Sequence, residues 1–225
     1  MLAWPAQDEV HVWSVALDAQ PASVAAALSE DELLRAAAFK VEDGRRNFVA
    51  TRGALRILLG RYLDEDPAAI RFTAAKNGKP GLVEPSLLQF NVSHSGEVAL
   101  IAVANVDVGV DVEQVKPRAD LPGLAKRVFT EREREAISGE ALAFYRHWVA
   151  KEAFVKATGR GVTSVRSFEV LLDAPGGARL VHVGGDPEEA ARWTLTEIQA
   201  PAGYTAAVVA RGAAKVVARP FEPST

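Results

Sequence analysis

Short valine-rich runs and amphipathic helical stretches recur through both halves of this chain, and their mixture limits the fold more than any other feature. His11–Leu17 has the β-branched and aromatic content of a strand. Ser29-Glu-Asp-Glu32 has the spacing of a capping box, which predicts a helix running to about Phe39. Arg46 to Tyr62 carries Phe48, Leu55 and Leu59 along one helical face. Asn77-Gly-Lys-Pro-Gly81 has turn composition. Phe90–Ser93 and Val98–Val103 are strand-like about a turn at Ser95-Gly96, and a further strand covers Asp107 to Val115. After Lys116-Pro-Arg118 the pattern changes. Thr130-Glu-Arg-Glu133 is a second capping box, opening a helix to about Ile137. A long helix covers Ala141–Ala157 and ends near Gly159. Strand-like runs follow at Ser167–Leu172, Ala178–Val183, Trp193–Gln199 and Tyr204–Ala210, and Pro220–Thr225 reads as a loose tail. The expectation is an α+β fold with mainly antiparallel strands, in halves of residues 1–115 and 116–225, with no sequence repeat between them.

Composition narrows the chemistry. The formal charge is −3, with no basic stripe, which argues against a nucleic-acid-binding protein. There is no cysteine, which excludes disulfides, thiolate catalysis and Cys-ligated metal sites. The N-terminal stretch lacks the basic and apolar regions of a signal peptide, and no run is long and apolar enough to span a bilayer. A cytoplasmic protein without membrane attachment is expected.

Four clusters could carry chemistry. In Val108-Gly-Val-Asp-Val-Glu113, strand alternation sends the valines one way and Asp111 and Glu113 the other. Two carboxylates two residues apart stand about 7 Å apart along a strand and could share one hard cation. An edge strand with a solvated acidic face would show the same pattern. In Phe144–Lys156, Glu152 falls inside a helical apolar face with Phe144 and Trp148, and Lys156 lies one turn beyond it. A carboxylate there is unfavourable unless it is paired or bound to metal; a surface Glu–Lys pair would belong on the polar face. Asn91-Val-Ser-His-Ser-Gly96 could hold phosphate oxygens through backbone N–H groups, hydroxyls and His94, although a histidine at a strand end can also be structural. It is not a nucleophile elbow of the Gly-x-Ser-x-Gly type. Lys79, on the Asn77–Pro80 turn, could present its ammonium to a phosphate, and Arg35, Arg45, Arg46, Arg52 and Arg56 add positive charge nearby in sequence.

The order of these blocks is specific. Gly-Lys-Pro, Asn-Val-Ser-His-Ser, Gly-Val-Asp-Val-Glu, Phe-Thr-x-x-Glu and Trp-x-x-Lys-Glu-Ala-x-x-Lys-x-x-Gly follow one another between about Gly78 and Gly159. In this the chain resembles the Sfp-type 4'-phosphopantetheinyl transferases, in the subgroup with Lys-Glu-Ala. The resemblance implies two similar α+β halves related by a pseudo-twofold, with coenzyme A in the cleft between them. It implies that Asp111, Glu113 and Glu152 hold Mg2+ against the coenzyme A diphosphate, that Glu152 is the candidate base, and that Lys156 faces the attacked phosphate. Lys79, Pro80, Ser93 and His94 match the block near the 3'-phosphate and adenine, and Arg35 matches a basic phosphate contact. Glu32 falls where some members have a lysine, so that contact is expected to be missing. The implied partner is an apo acyl- or peptidyl-carrier protein of fatty-acid, polyketide or non-ribosomal peptide biosynthesis. Its acidic helices would meet Arg118, Lys126, Arg127, Arg132 and Arg134. The implied state is a monomer. A non-catalytic module binding coenzyme A or a carrier is the alternative; it has no need of a third carboxylate in an apolar stripe.

Overall fold

A computed structural model describes every residue except 75–78, 84–85, 173–176, 213 and 224–225. The turn expected at Asn77-Gly78 lies outside the described residues. The first half begins with strand β1 (Glu9–Ala16) and helices α1 (Ala22–Ala26), α2 (Glu30–Ala37) and α3 (Glu42–Leu63). It continues with a hairpin of β2 (Phe72–Ala74) and β3 (Pro80–Leu82), then strands β4 (Gln89–Ser95) and β5 (Val98–Ala104). The second half repeats this order. It has β6 (Val108–Gln114), helices α4 (Leu121–Val128), α5 (Glu131–Ile137) and α6 (Ala141–Thr158), a hairpin of β7 (Phe168–Leu171) and β8 (Arg179–Val183), and after the short α7 (Pro187–Ala191) strands β9 (Trp193–Ile198) and β10 (Tyr204–Arg211). A final strand, β11 (Lys215–Pro220), returns to the first half.

The two larger sheets run β11-β1-β5-β4 and β6-β10-β9. Without β11 they share one plan: the first strand of the half pairs with its last, which pairs with the one before. This duplicated α+β plan forms four layers. Helix α3 packs Leu55, Leu58 and Leu59 on the sheet face bearing Trp13, Val15 and Ile101. The opposite face, with Val10, Val12 and Leu100, meets Val108, Val110 and Val112 of the second sheet. The far face of that sheet, with Ala207 and Val209, packs on Val149, Ala153 and Phe154 of α6.

Both capping boxes form, and the second is fully bonded: Glu133 N–H donates to Thr130 Oγ1 (3.3 Å) and Thr130 N–H to Glu133 Oε2 (2.8 Å). Glu133 does more than cap. It is buried, accepts from the Nζ of buried Lys151 (2.7 and 2.9 Å) and from Val170 N–H (2.9 Å), and so joins α5, α6 and β7. Burial pushes the Lys151 ammonium down, and Glu133 opposes that.

The expected boundary at 115 is corrected by the sheets. Strand β6 pairs with β10 and opens the second half, so the halves meet between Ala104 and Val108. The C-terminal tail is also corrected. β11 lies parallel to β1, from Glu9↔Lys215 to Ser14↔Pro220, and Phe221 is buried in the α3 core.

Candidate active site at the seam between the halves

Gly109, Asp111 and Glu113 share the face of β6 that looks toward α6. The glycine sets the approach. A Cβ there would lie 2.1 Å from Ala153 O and 2.3 Å from Ala157 N, both backbone atoms of α6. No side chain fits, so the helix lies directly on the strand and carries Glu152 and Lys156 to the carboxylates.

The other side of the seam is made by β4. Its alternate residues Asn91, Ser93 and Ser95 accept hydrogen bonds from the backbone N–H groups of Val110 (2.9 Å), Val112 (3.4 Å) and Gln114 (3.1 Å). A ladder of side chains thus replaces the backbone ladder that would otherwise join the sheets. The two serines also donate: Ser93 Oγ to Asp111 Oδ1 (2.6 Å) and Ser95 Oγ to Glu113 Oε2 (2.7 Å). Lys156 Nζ donates to Asp111 Oδ1 (2.7 Å), Ser93 Oγ (2.8 Å) and Val110 O (3.4 Å).

Two buried carboxylate oxygens at this seam, Asp111 Oδ2 and Glu152 Oε1, have no hydrogen-bond partner. Burial raises the Glu152 pKa, the Asp111 carboxylate raises it further, Lys156 draws it back, and Glu113 adds a smaller upward push. Asp111, Glu113, Glu152 and Lys156 therefore share one electrostatic neighbourhood. Among the described residues, no group of three or more His, Cys, Asp or Glu side chains is already placed to hold a metal ion. Magnesium seldom needs one, because it binds through one or two carboxylates together with water and substrate phosphates. Hard oxygen donors with unpartnered atoms fit such an ion.

Cavities lie on both sides of the ladder. One, of about 370 Å³, is lined by Arg35, Phe48, Arg52, Pro80 and His94, among others. The structure therefore brings three of the sequence-predicted ligand-contact residues, Arg35, Pro80 and His94, to one hollow. Desolvation of the His94 ring, and then the Lys156 ammonium, lower its pKa. Lys79 is placed differently: its Nζ donates to Val108 O and Ala157 O (both 3.1 Å), tying β6 to the end of α6. Burial lowers its pKa. Glu32 is buried beneath the cavity wall, bound to Arg52 and Arg56. Burial alone would raise its pKa, but hydrogen bonds from Arg56 and Arg52 outweigh that and hold it low. Arg52 stacks 3.8 Å from the Phe72 ring centroid. Arg52, one of the arginines the sequence placed near Lys79, thus lines the cavity from α3 while paired with Glu32.

The second cavity, of about 550 Å³, is lined by Ser95, Glu113, Lys116, Arg118, Tyr145 and Trp148, among others. Of the basic residues expected to meet a partner, Lys126 and Arg127 lie exposed on α4, and Arg118 is paired with Asp120 (2.9 Å). Arg132 faces Glu169 at 3.4 Å, and Arg134 donates to Phe129 O (3.2 Å).

The fold and the site define a duplicated α+β chain that carries an acidic pair and a lysine at the seam between its halves. Comparison with known proteins places it further. The profile of the 4'-phosphopantetheinyl transferase superfamily matches residues 107–209, and that of the 4'-phosphopantetheinyl transferase N-terminal region matches 13–106. The chain is 39% identical over 218 residues to the 4'-phosphopantetheinyl transferase HetI of Nostoc sp., covering 91% of this chain and 89% of HetI. It is 31% identical over 162 residues to a 4'-phosphopantetheinyl transferase of Bacillus subtilis, covering 65% and 71% of the two chains. It is 29% identical over 201 residues to a phosphopantetheinyl transferase of Thraustochytrium sp., covering 80% and 70%. The chain belongs to the 4'-phosphopantetheinyl transferase superfamily. The profiles change over between residues 106 and 107, where the structure passes from β5 to β6.

Proposed function

We propose that this protein transfers the 4'-phosphopantetheine group of coenzyme A to a serine of an apo acyl- or peptidyl-carrier protein, releasing 3',5'-ADP. The observation that carries the reading is the pair of unpartnered buried oxygens, Asp111 Oδ2 and Glu152 Oε1, beside the Lys156 ammonium and between two cavities. The cavity with Arg35 and His94 takes the 3'-phosphate and adenine end, and the cavity beside Glu113 and Trp148 takes the pantetheine arm.

Magnesium held by Asp111, Glu113 and Glu152 would supply charge neutralisation and orientation of the diphosphate. The chain's own residues do the rest. Glu152, at the seam beside Asp111 and Lys156, accepts the proton of the incoming serine hydroxyl. The serine oxygen forms a bond to the phosphorus next to pantetheine, and the bond from that phosphorus to the bridging diphosphate oxygen breaks. Lys156 stabilises negative charge on the transferred group or on the departing oxygen. Lys126 and Arg127 on α4 favour an acidic partner surface. One chain supplies both halves of the site, which supports action as a monomer.

Incubation with coenzyme A, magnesium and a panel of apo carriers should add the mass of the arm to at least one carrier. Chelation by EDTA should stop the transfer. Loss of the base in Glu152→Gln should lower the rate by about 10²–10⁴-fold. A protein that binds coenzyme A yet modifies no carrier is instead a binding module, and wild-type turnover of Glu152→Gln removes the role given to that residue.

A further inference from the structure

Ser95 lines the second cavity, but the transfer reaction as described gives its hydroxyl no role. It is half-buried at the end of β4, and its hydroxyl is fully committed. The oxygen accepts from Gln114 N–H (3.1 Å), and the proton is donated to Glu113 Oε2 (2.7 Å). One rung deeper, Ser93 has the same pair of bonds with Val112 N–H and Asp111 Oδ1. The repeat has a geometric cause. Residues two apart on β4 face two-apart residues on β6, so each serine meets an N–H and the carboxylate of the residue before it. The N–H removes the serine's freedom to rotate its oxygen away. The hydroxyl proton then occupies one named oxygen of the carboxylate and leaves the other for a ligand. At Asp111 the remaining oxygen, Oδ2, is buried without a partner. Glu113 has one more rotatable bond than Asp111, lies at the more open end of the strand and lines the larger of the two flanking cavities. It therefore has more conformational freedom to lose on binding a cation.

We propose that Ser95 is a positioning residue for the cation site: anchored by the Gln114 N–H, it holds Glu113 through Oε2 so that Oε1 is presented to a divalent ion. This rests on the reading above that Glu113 is a cation ligand. Ser95 touches neither the ion nor the reacting atoms; its effect passes through the carboxylate. Groups that orient a metal ligand in this way typically change metal affinity by about 10–100-fold when removed.

The test is a titration of Mn2+ into the full-length protein with coenzyme A present, followed by the loss of the free-ion EPR signal. Wild type, Ser95→Ala, Ser95→Thr and Glu113→Gln are compared, and each is also measured for coenzyme A binding without metal. Ser95→Ala should bind Mn2+ about 10-fold or more weakly, a loss larger than any in its metal-free coenzyme A binding. Ser95→Thr, which keeps the hydroxyl, should recover most of the Mn2+ affinity. If Glu113→Gln weakens Mn2+ binding but Ser95→Ala matches wild type, the positioning role is overturned and the cation reading stands. If Ser95→Ala weakens metal-free coenzyme A binding equally and Ser95→Thr does not recover, Ser95 merely holds the seam, and the proposal is again overturned. If the wild type takes up no Mn2+, or Glu113→Gln changes nothing, the cation reading itself fails and takes the proposal with it.

Discussion

Gly109→Ala tests how closely the site depends on the packing of α6 against β6. The added methyl carbon would lie 2.1 Å from Ala153 O, where ordinary contact begins near 3.4 Å. The difference, 3.4 minus 2.1, is 1.3 Å, and the atoms in the way are backbone, so no rotamer change relieves the clash. The helix and the strand must move apart by about that amount. Asp111 and Glu113 ride on the strand, Glu152 and Lys156 on the helix, so the shift separates groups that act together. A misplacement of about 1 Å can lower a catalysed rate by about 10²-fold, and an overpacked core loses about 1–3 kcal/mol. The assay measures initial rates of arm transfer by mass, at saturating coenzyme A and carrier, beside urea unfolding to show that the variant remains cooperatively folded. A Gly109→Ala protein that is folded and transfers at a rate comparable with the wild type would refute the reasoning, because the clash would then have been absorbed without moving the site.

Three further outcomes are expected. Glu152 has a raised folded-state pKa, so it favours the folded state while protonated, and that contribution is lost as pH rises through the folded pKa. The stability difference between wild type and Glu152→Gln, followed by urea midpoints without magnesium, should therefore turn against wild type above the ordinary glutamate range. Lys151→Met strands Glu133 in the core and should lower stability by about 3–5 kcal/mol; adding Glu133→Leu should restore part of it, but not all, because Thr130 and Val170 N–H groups lose their acceptor. Arg35→Ala should raise KM for coenzyme A about tenfold or more, as loss of one charged contact implies. Lys79→Met should instead leave KM near wild type and lower the urea midpoint, since its ammonium holds backbone carbonyls rather than facing the cavity.

Local signals in the sequence located the elements well. Thr130 and Glu133 marked the start of α5, Gly159 in the left-handed region marked the end of α6, and the valine alternation at 108–112 marked β6. What escaped is non-local. β11 has no hairpin turn to announce it, because it pairs in parallel with a strand some two hundred residues earlier. Helix α4 is obscured by Pro122-Gly123, which as a pair suggests a turn, although proline is well suited to a helix's first turn. The boundary at 115 misplaced β6 because pattern alone does not say which sheet a strand joins. At the site, the motif order implied that Asp111 and Lys156 serve one ligand but not that they touch each other, and Lys79 faces inward because β6 begins and α6 ends beside it. The ladder was visible only in part. Asn91, Ser93 and Ser95 alternate with Phe90, Val92 and His94, a sign of a polar face on the strand, but the N–H groups they serve belong to another element.

The chain crosses between the two main sheets twice, from β5 into β6 and from β10 back toward β11. Both passages lie at one end, where Arg211 N–H donates to Asp107 O (3.0 Å). A rotation of one half against the other about this end would move the far end of β6 most. Gln114 is six residues farther along β6, a lever of about 20 Å, so a turn of roughly 5° swings that end by nearly 2 Å while Val108 hardly stirs. The far end is latched by Tyr204, whose hydroxyl accepts from Glu97 N–H (3.1 Å). The seam is thus held at both ends, by the Asp107 contact at one and the Tyr204 contact at the other, with Glu113 on the Ser95 rung close to the second.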